Sequence, residues 1–416
     1  LDATDLPGLS EEARRGFIAL AGSGLMPPNA ILYVHQQKML RAALERKHCV
    51  VVTGTGSGKT ESFLLPVLAS IAKEALRKSA GWKVARPPGT PAIPWTPSTP
   101  PTWDADRATA RNEARRPAVR ALLLYPMNAL VEDQMSRLRK ALDSDEALAA
   151  LDKHWGSNRI RFGRYNGSTP VSGHPFKLDA TGQRQPNSSK RSELSADIKG
   201  AIKQHRDLAT ALESARVARD RAKKANSADL PQHEIKVADL EEQVRFVPRM
   251  TLDAAEMFHR WEMQASPPDM LITNVSMLSI MLMRHGDPQL EGDRSDSDIF
   301  AATRKWLEED TDNHVFQLVI DELHLYRGAA GTEVGYLLRL LMDRLGLEPR
   351  SRQLQLLASS ASLDANADST YEFLGGLFGF DQADARALFH IEAGVSLHNQ
   401  PAVSPEMTAD FATRCR

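Results

Sequence analysis

Short, nearly continuous apolar runs recur along the chain, separated by stretches whose apolar residues return every three or four positions. Cys49-Val50-Val51-Val52, residues 119–125, Met270-Leu271-Ile272-Thr273, Gln317-Leu318-Val319-Ile320 and residues 354–358 are runs of this kind. They are too short for buried helices and lack the alternation of a half-exposed strand, so they read as strands covered on both faces. A further strand is expected at 160–164. The intervening stretches at 61–78, 128–142 and 333–345 have helical spacing. The last carries Val334, Leu337, Leu338, Leu341 and Leu345 on one face and ends at Gly346, a natural C-cap. Strands alternating with helices predict an α/β fold with a largely parallel sheet and helices on both faces.

Two stretches break this rhythm. Pro87, Pro88, Pro91, Pro94, Pro97, Pro100 and Pro101 crowd one segment, which neither a helix nor a central strand tolerates, so an extended surface excursion is expected over 81–118. Trp82, Trp95 and Trp103 in or beside it read as anchors onto a core or a partner. Residues 191–246 are alanine-rich and charged, with a break at Asp229-Leu230-Pro231, and predict a projecting helical hairpin within an insertion at 170–247. That hairpin is either a solvated spacer or an arm that docks a protein partner. The expected division is then N-terminal helices over 1–48, the sheet-bearing lobe over 49–363, and a connecting segment over 364–416.

A chain of 416 residues, 42% hydrophobic and 25% charged, can bury a large core. Its net charge of −1 supplies no bulk field toward nucleic acid, although a local basic groove would suffice. No apolar run reaches membrane-spanning length, the N-terminus has no signal-like core, and two cysteines, Cys49 and Cys415, give no disulfide framework. A cytoplasmic protein without a membrane partner is expected. Leu1 in place of Met points to a piece of a longer polypeptide.

The chemistry concentrates at two strand ends. Cys49-Val50-Val51-Val52 runs into Thr53-Gly54-Thr55-Gly56-Ser57-Gly58-Lys59-Thr60, and a helix follows. A glycine loop between strand and helix gathers backbone N–H groups at the positive end of a helix dipole, the arrangement that holds a nucleotide's phosphates. Lys59 is placed to reach the β- and γ-phosphates and the Thr60 hydroxyl to ligate Mg²⁺. Thr53 stands where the strict pattern has a glycine. Further along, Gln317-Leu318-Val319-Ile320 runs into Asp321-Glu322-Leu323-His324. Carboxylates at the end of a parallel strand face the crevice of an α/β sheet, so Asp321 is expected to hold Mg²⁺ and Glu322 to activate the attacking water. The cofactors implied are ATP and Mg²⁺.

With Tyr125-Pro126-Met127-Asn128-Ala129-Leu130, Thr273-Asn274 and Ser360-Ala361-Ser362 in their order, the set resembles the superfamily 2 helicases. The strings Pro267-Pro268-Asp269-Met270-Leu271-Ile272-Thr273-Asn274 and Asp321-Glu322-Leu323-His324-Leu325-Tyr326-Arg327-Gly328 are similar to the Mrf-type, Lhr-like DNA helicases and to the large helicases of bacterial anti-phage systems such as DISARM and Druantia. The resemblance implies a RecA-like lobe in which Gln36 reads the adenine, and His324, Ser360 and Ser362 couple ATP to DNA. It further implies that Pro126, Asn128, Thr273 and Asn274 lie against one tracked DNA strand, with 3′-to-5′ movement. Such a motor also needs a second RecA-like lobe carrying an arginine finger, worth roughly 10³–10⁵ in rate, and the residues after Ser362 are too few to form one. A duplex-DNA translocase, an RNA helicase and a regulatory ATP-binding module working through 191–246 are the alternatives.

Overall fold

The computed structural model describes residues 6–26, 31–54, 57–78, 81–85, 113–251, 254–286 and 293–394. Helix α1 (Glu11–Leu20) starts at Ser10, whose hydroxyl accepts from the Ala13 amide, and runs into a π-helical turn at Ala21–Leu25. Helix α2 (Val34–Leu44) leads to strand β1 (His48–Val52) and helix α3 (Lys59–Ala75). Next come β2 (Ala121–Tyr125), α4 (Asn128–Leu142), α5 (Asp145–His154) and β3 (Phe162–Tyr165). A two-stranded ribbon, β4 (Phe176–Leu178) with β5 (Arg184–Pro186), precedes two long helices, α6 (Ser188–Lys224) and α7 (Leu230–Arg245). The chain returns through α8 (Arg260–Ala265), β6 (Met270–Asn274), α9 (Val275–Met283), α10 (Asp296–Glu309) and β7 (Phe316–Ile320). It continues with α11 (Gly328–Leu345), β8 (Leu354–Ser360), α12 (Asp368–Phe378), α13 (Gln382–Leu388) and β9 (Phe389–Ala393).

Seven strands form one sheet in the order β3-β6-β2-β7-β8-β1-β9, and every pairing in it is parallel. Successive residues alternate between two cores, which explains the continuous apolar runs. Val51 and Leu123 pack with Phe17, Met39, Leu64 and Met135 of α1 to α4. Val50 and Leu122 pack with Leu278, Trp306, Leu338 and Leu374 of α9 to α12 on the other face. This is the RecA-like α/β arrangement, with the charged insertion as a helical hairpin. Leu194 and Ile198 root the hairpin beside Trp261, and Leu212, Ala215 and Val237 join its two helices. Among the described residues no helix is long and apolar enough to cross a membrane.

The sheet extends past the boundary expected at 363. Residues 389–393 pair with β1 as a seventh strand, and Leu374, Phe378 and Phe389 belong to the second core, so 364–394 is part of the lobe. An edge strand with His390 and Glu392 has no continuous apolar run, which is why the sequence pattern passes over it.

Most of the proline-dense segment, 86–112, and with it Trp95 and Trp103, lies outside the described residues, as does Cys415. Its two ends meet at a buried ionic cluster. Arg115 lies 4.0 Å above the Trp82 ring, whose Nε1 donates to Glu74. Asp269, 2% exposed, accepts from Arg115 (2.6 Å) and Arg120 (2.8 Å), and Arg120 also binds Glu74. Trp82 is an anchor. Cys49 is a fully buried core residue.

Candidate nucleotide-binding site

The C-terminal ends of β2 and β7 and the start of α3 open onto a cleft of about 610 Å³ lined by Gln36, Lys59, Thr60, Tyr125, Asp321 and Glu322, among others. A volume of that order suits a nucleotide-sized ligand. Its phosphate end is set by local backbone requirements. Gly58 has φ +76 and caps α3, a left-handed conformation that glycine takes without strain. A Cβ there would also lie 2.3 Å from the Gln36 Nε2 atom. Thr55 and Gly56 lie outside the described residues. Thr53, which replaces a glycine, is buried, and its hydroxyl donates to Ser57 Oγ (2.8 Å), which donates to the Gly54 carbonyl (2.6 Å). The substituted threonine therefore braces the loop from within.

Lys59 points across the cleft and donates to Glu322 Oε1 at 2.7 Å. Glu322 itself has φ 52, rare for a residue with a side chain, and its amide donates to Ser359 Oγ at 3.2 Å. The Ser359 hydroxyl in turn donates to Asp321 Oδ1. Because Ile320 pairs with Ala358 in the parallel ladder, the next residues, Asp321 and Ser359, are neighbours on one face. Burial pushes Asp321 above the usual carboxylate range, and the Ser359 hydrogen bond pulls it partly back. Asp321, Ser359 and Thr60 present oxygens only, the donor set of a hard cation. Among the described residues no three His, Cys, Asp or Glu side chains converge. The protein thus offers part of a shell, which fits an Mg²⁺ that keeps waters and arrives with phosphates.

Gln36, expected to read the adenine, lies on the wall of this cleft. Gln36 is 2% exposed, its Oε1 accepts from the Tyr33 amide (3.0 Å), and its Nε2 donates to the Gly58 carbonyl (3.1 Å). It ties the segment before α2 to the phosphate loop, and each end of the amide keeps one further hydrogen-bonding position. His324 Nδ1 accepts from the Ala361 amide at 3.4 Å and lies 3.4 Å from Glu322 Oε2, which puts the histidine between the acidic box and the end of β8. Ser360 is fully buried and its Oγ accepts from the Ser362 amide (3.3 Å). Ser359 rather than Ser360 holds the acidic pair. Reading it from sequence requires the register of two strands separated by the 33 residues 321–353.

Pro126, Asn128 and Asn274 gather at the same sheet edge, beyond β2 and β6. Asn274 Nδ2 donates to Asn128 Oδ1 (2.5 Å), while its own Oδ1 caps α9 by accepting from the Met277 amide. The N-terminus of α4 has no side-chain cap, leaving amides available to an anion. Thr273 does not join this surface. It is fully buried, with its hydroxyl donated to the Tyr165 carbonyl at 2.6 Å, so it locks β6 to β3 instead of reaching solvent.

Residues 33–185 match the DEAD/DEAH box helicase family. Over 377 residues the chain is 33% identical to the Druantia protein DruE of Escherichia coli (strain UMEA 4076-1), a match covering 86% of this chain and 17% of that protein. The chain therefore spans about a sixth of the curated relative's length. Among solved structures, the DUF1998 helicase MrfA bound to DNA is similar at 17% identity and a TM-score of 0.42, over 93% of this chain and 30% of that one. The same helicase bound to DNA and AMPPNP gives 18% identity and a TM-score of 0.41, with the same coverage.

Proposed function

We propose that this chain, whose residues 33–185 match the DEAD/DEAH box helicase family, is the ATP-binding lobe of a superfamily 2 DNA helicase or translocase acting in anti-phage defence. The observation that carries this reading is the convergence of Lys59, Thr60, Asp321 and Glu322, from strands distant in sequence, around one cleft at the sheet's C-terminal edge. The likeness to a Druantia protein supports the defence setting.

In the proposed mechanism the triphosphate takes Lys59 from Glu322. The loop amides and the α3 dipole hold the β-phosphate, and Lys59 neutralises charge on the γ-phosphate. Freed from the lysine, Glu322 faces the attacking water as a general base. Bound Mg²⁺, held by Thr60 and through water by Asp321, would neutralise charge on the phosphate oxygens. A second RecA-like lobe would close the cleft with an arginine. The surface of Pro126, Asn128 and Asn274 would meet one DNA strand through its backbone, which suits a motor that must not read sequence.

Fluorescent-nucleotide titration of the 416-residue chain tests the cleft: Lys59→Ala is expected to weaken Mg²⁺·ATP binding at least about tenfold, since a charge-assisted contact is worth roughly 1.5–3 kcal/mol. Hydrolysis by this chain should be slow. Full turnover stimulated by nucleic acid would contradict the need for a second lobe. Stimulation of the longer protein by RNA and not by DNA would overturn the substrate assignment.

A further inference from the structure

Two buried donors on the wall of the nucleotide cleft have no partner among the described residues. The Tyr125 hydroxyl and the Gln134 side-chain amide nitrogen are both shut off from solvent and unbonded, and both residues line the cleft. They are 3% and 2% exposed. An unsatisfied buried donor costs about 1–3 kcal/mol, and phenylalanine or methionine would fill the same space without that cost.

Their position gives the donors a use. Leu124 pairs with Ile320, so Tyr125 and Asp321 are the next residues on adjacent strands and on the same face. Asp321 thus has a hydroxyl-bearing neighbour on either side: Ser359, already bonded to it, and Tyr125, which is not. A tyrosine phenol is an ordinary neutral hydrogen-bond donor at physiological pH. A phenol, an amide N–H and a carboxylate around one cleft provide the two to four polar partners that a buried water requires.

We infer that Tyr125 and Gln134 are positioning residues that hold an ordered water against Asp321 and so fix the carboxylate for its Mg²⁺·nucleotide. This rests on the reading of the cleft as an ATP site. Outer-shell partners of metal ligands are typically worth 10–100-fold in metal affinity.

The test is the Mg²⁺ concentration needed for half-maximal binding of a fluorescent ADP to the 416-residue chain, measured with the Mg²⁺-free affinity and the thermal midpoint. Tyr125→Phe is expected to raise the Mg²⁺ requirement about tenfold and leave Mg²⁺-free binding unchanged. Gln134→Met should act in the same direction. An unchanged Mg²⁺ requirement in both variants, with a thermal midpoint equal to or above wild type, would show two merely orphaned groups and overturn the inference. Lys59→Ala in the same titration reports on the cleft itself, so a failure of the ATP reading is distinguishable from a failure of the positioning role.

Discussion

Replacing Glu322 with glutamine should tighten nucleotide binding while slowing hydrolysis, because Glu322 competes with phosphate for Lys59. Lys59 and Glu322 meet at 2.7 Å, with side chains 11% and 21% exposed. At an effective dielectric of about 20 the bare attraction is about 6 kcal/mol, most of it offset by taking both charges out of water. The net worth of a hydrogen bond to a charged group is about 1.5–3 kcal/mol, and partial exposure favours the lower end. Glutamine keeps a neutral acceptor, so about 1 kcal/mol of competition would be relieved, or roughly fivefold in affinity. Removing a negative charge from a site that receives a polyanion acts in the same direction. Loss of the general base should lower the hydrolysis rate by about 10²-fold or more. Equilibrium titration of Glu322→Gln and wild type with Mg²⁺·ATP is the assay. Equal or weaker binding by the variant would refute the competition between Lys59's two partners.

Other substitutions probe the remaining supports. Gly58→Ala imposes a left-handed conformation on a side chain and crowds Gln36, so a loss of about 1–2 kcal/mol in denaturant unfolding is expected, together with weaker nucleotide binding. Asp269→Ala strips the shared partner from Arg115 and Arg120 and should cost about 3–5 kcal/mol by the same measurement; a loss under about 1 kcal/mol would contradict a buried, interdependent cluster. Asp321 has a folded-state pKa raised above its unfolded value, so its charge costs stability at neutral pH and that cost fades as pH falls. Asp321→Asn should therefore melt higher than wild type at pH 7, with the gain vanishing in acid, while losing Mg²⁺-dependent nucleotide binding. Burial lowers His48 to about 4, so stability should fall as pH drops from its unfolded value of 6.5 through 4. His48→Gln is expected to flatten that part of the pH–stability curve.

The strands were legible because burial on both faces leaves an apolar run that needs no tertiary knowledge, and the phosphate loop because its requirements are local. The roles that escaped depend on register. Ser359 serves Asp321 only because β7 and β8 pair as they do, and a string of three serines gives no sign of which one faces the acid. Thr273 resembles a surface hydroxyl in sequence, yet β3 lies beside it and takes its hydrogen bond. Strand β9 is half exposed and polar enough to pass for a connection, and only its ladder with β1 identifies it.

The ionic cluster beneath the sheet has a consequence for how the protein tolerates change. Trp82 and Arg115 stand at either side of the proline-dense segment and touch each other, so the lobe closes that loop at its neck by side-chain contacts. Once the neck is fixed, loop length enters only logarithmically, at about 0.6 kcal/mol per doubling. The tryptophan–arginine clasp is thus the place where the lobe itself, at residues 82 and 115, holds the two flanks of the segment together.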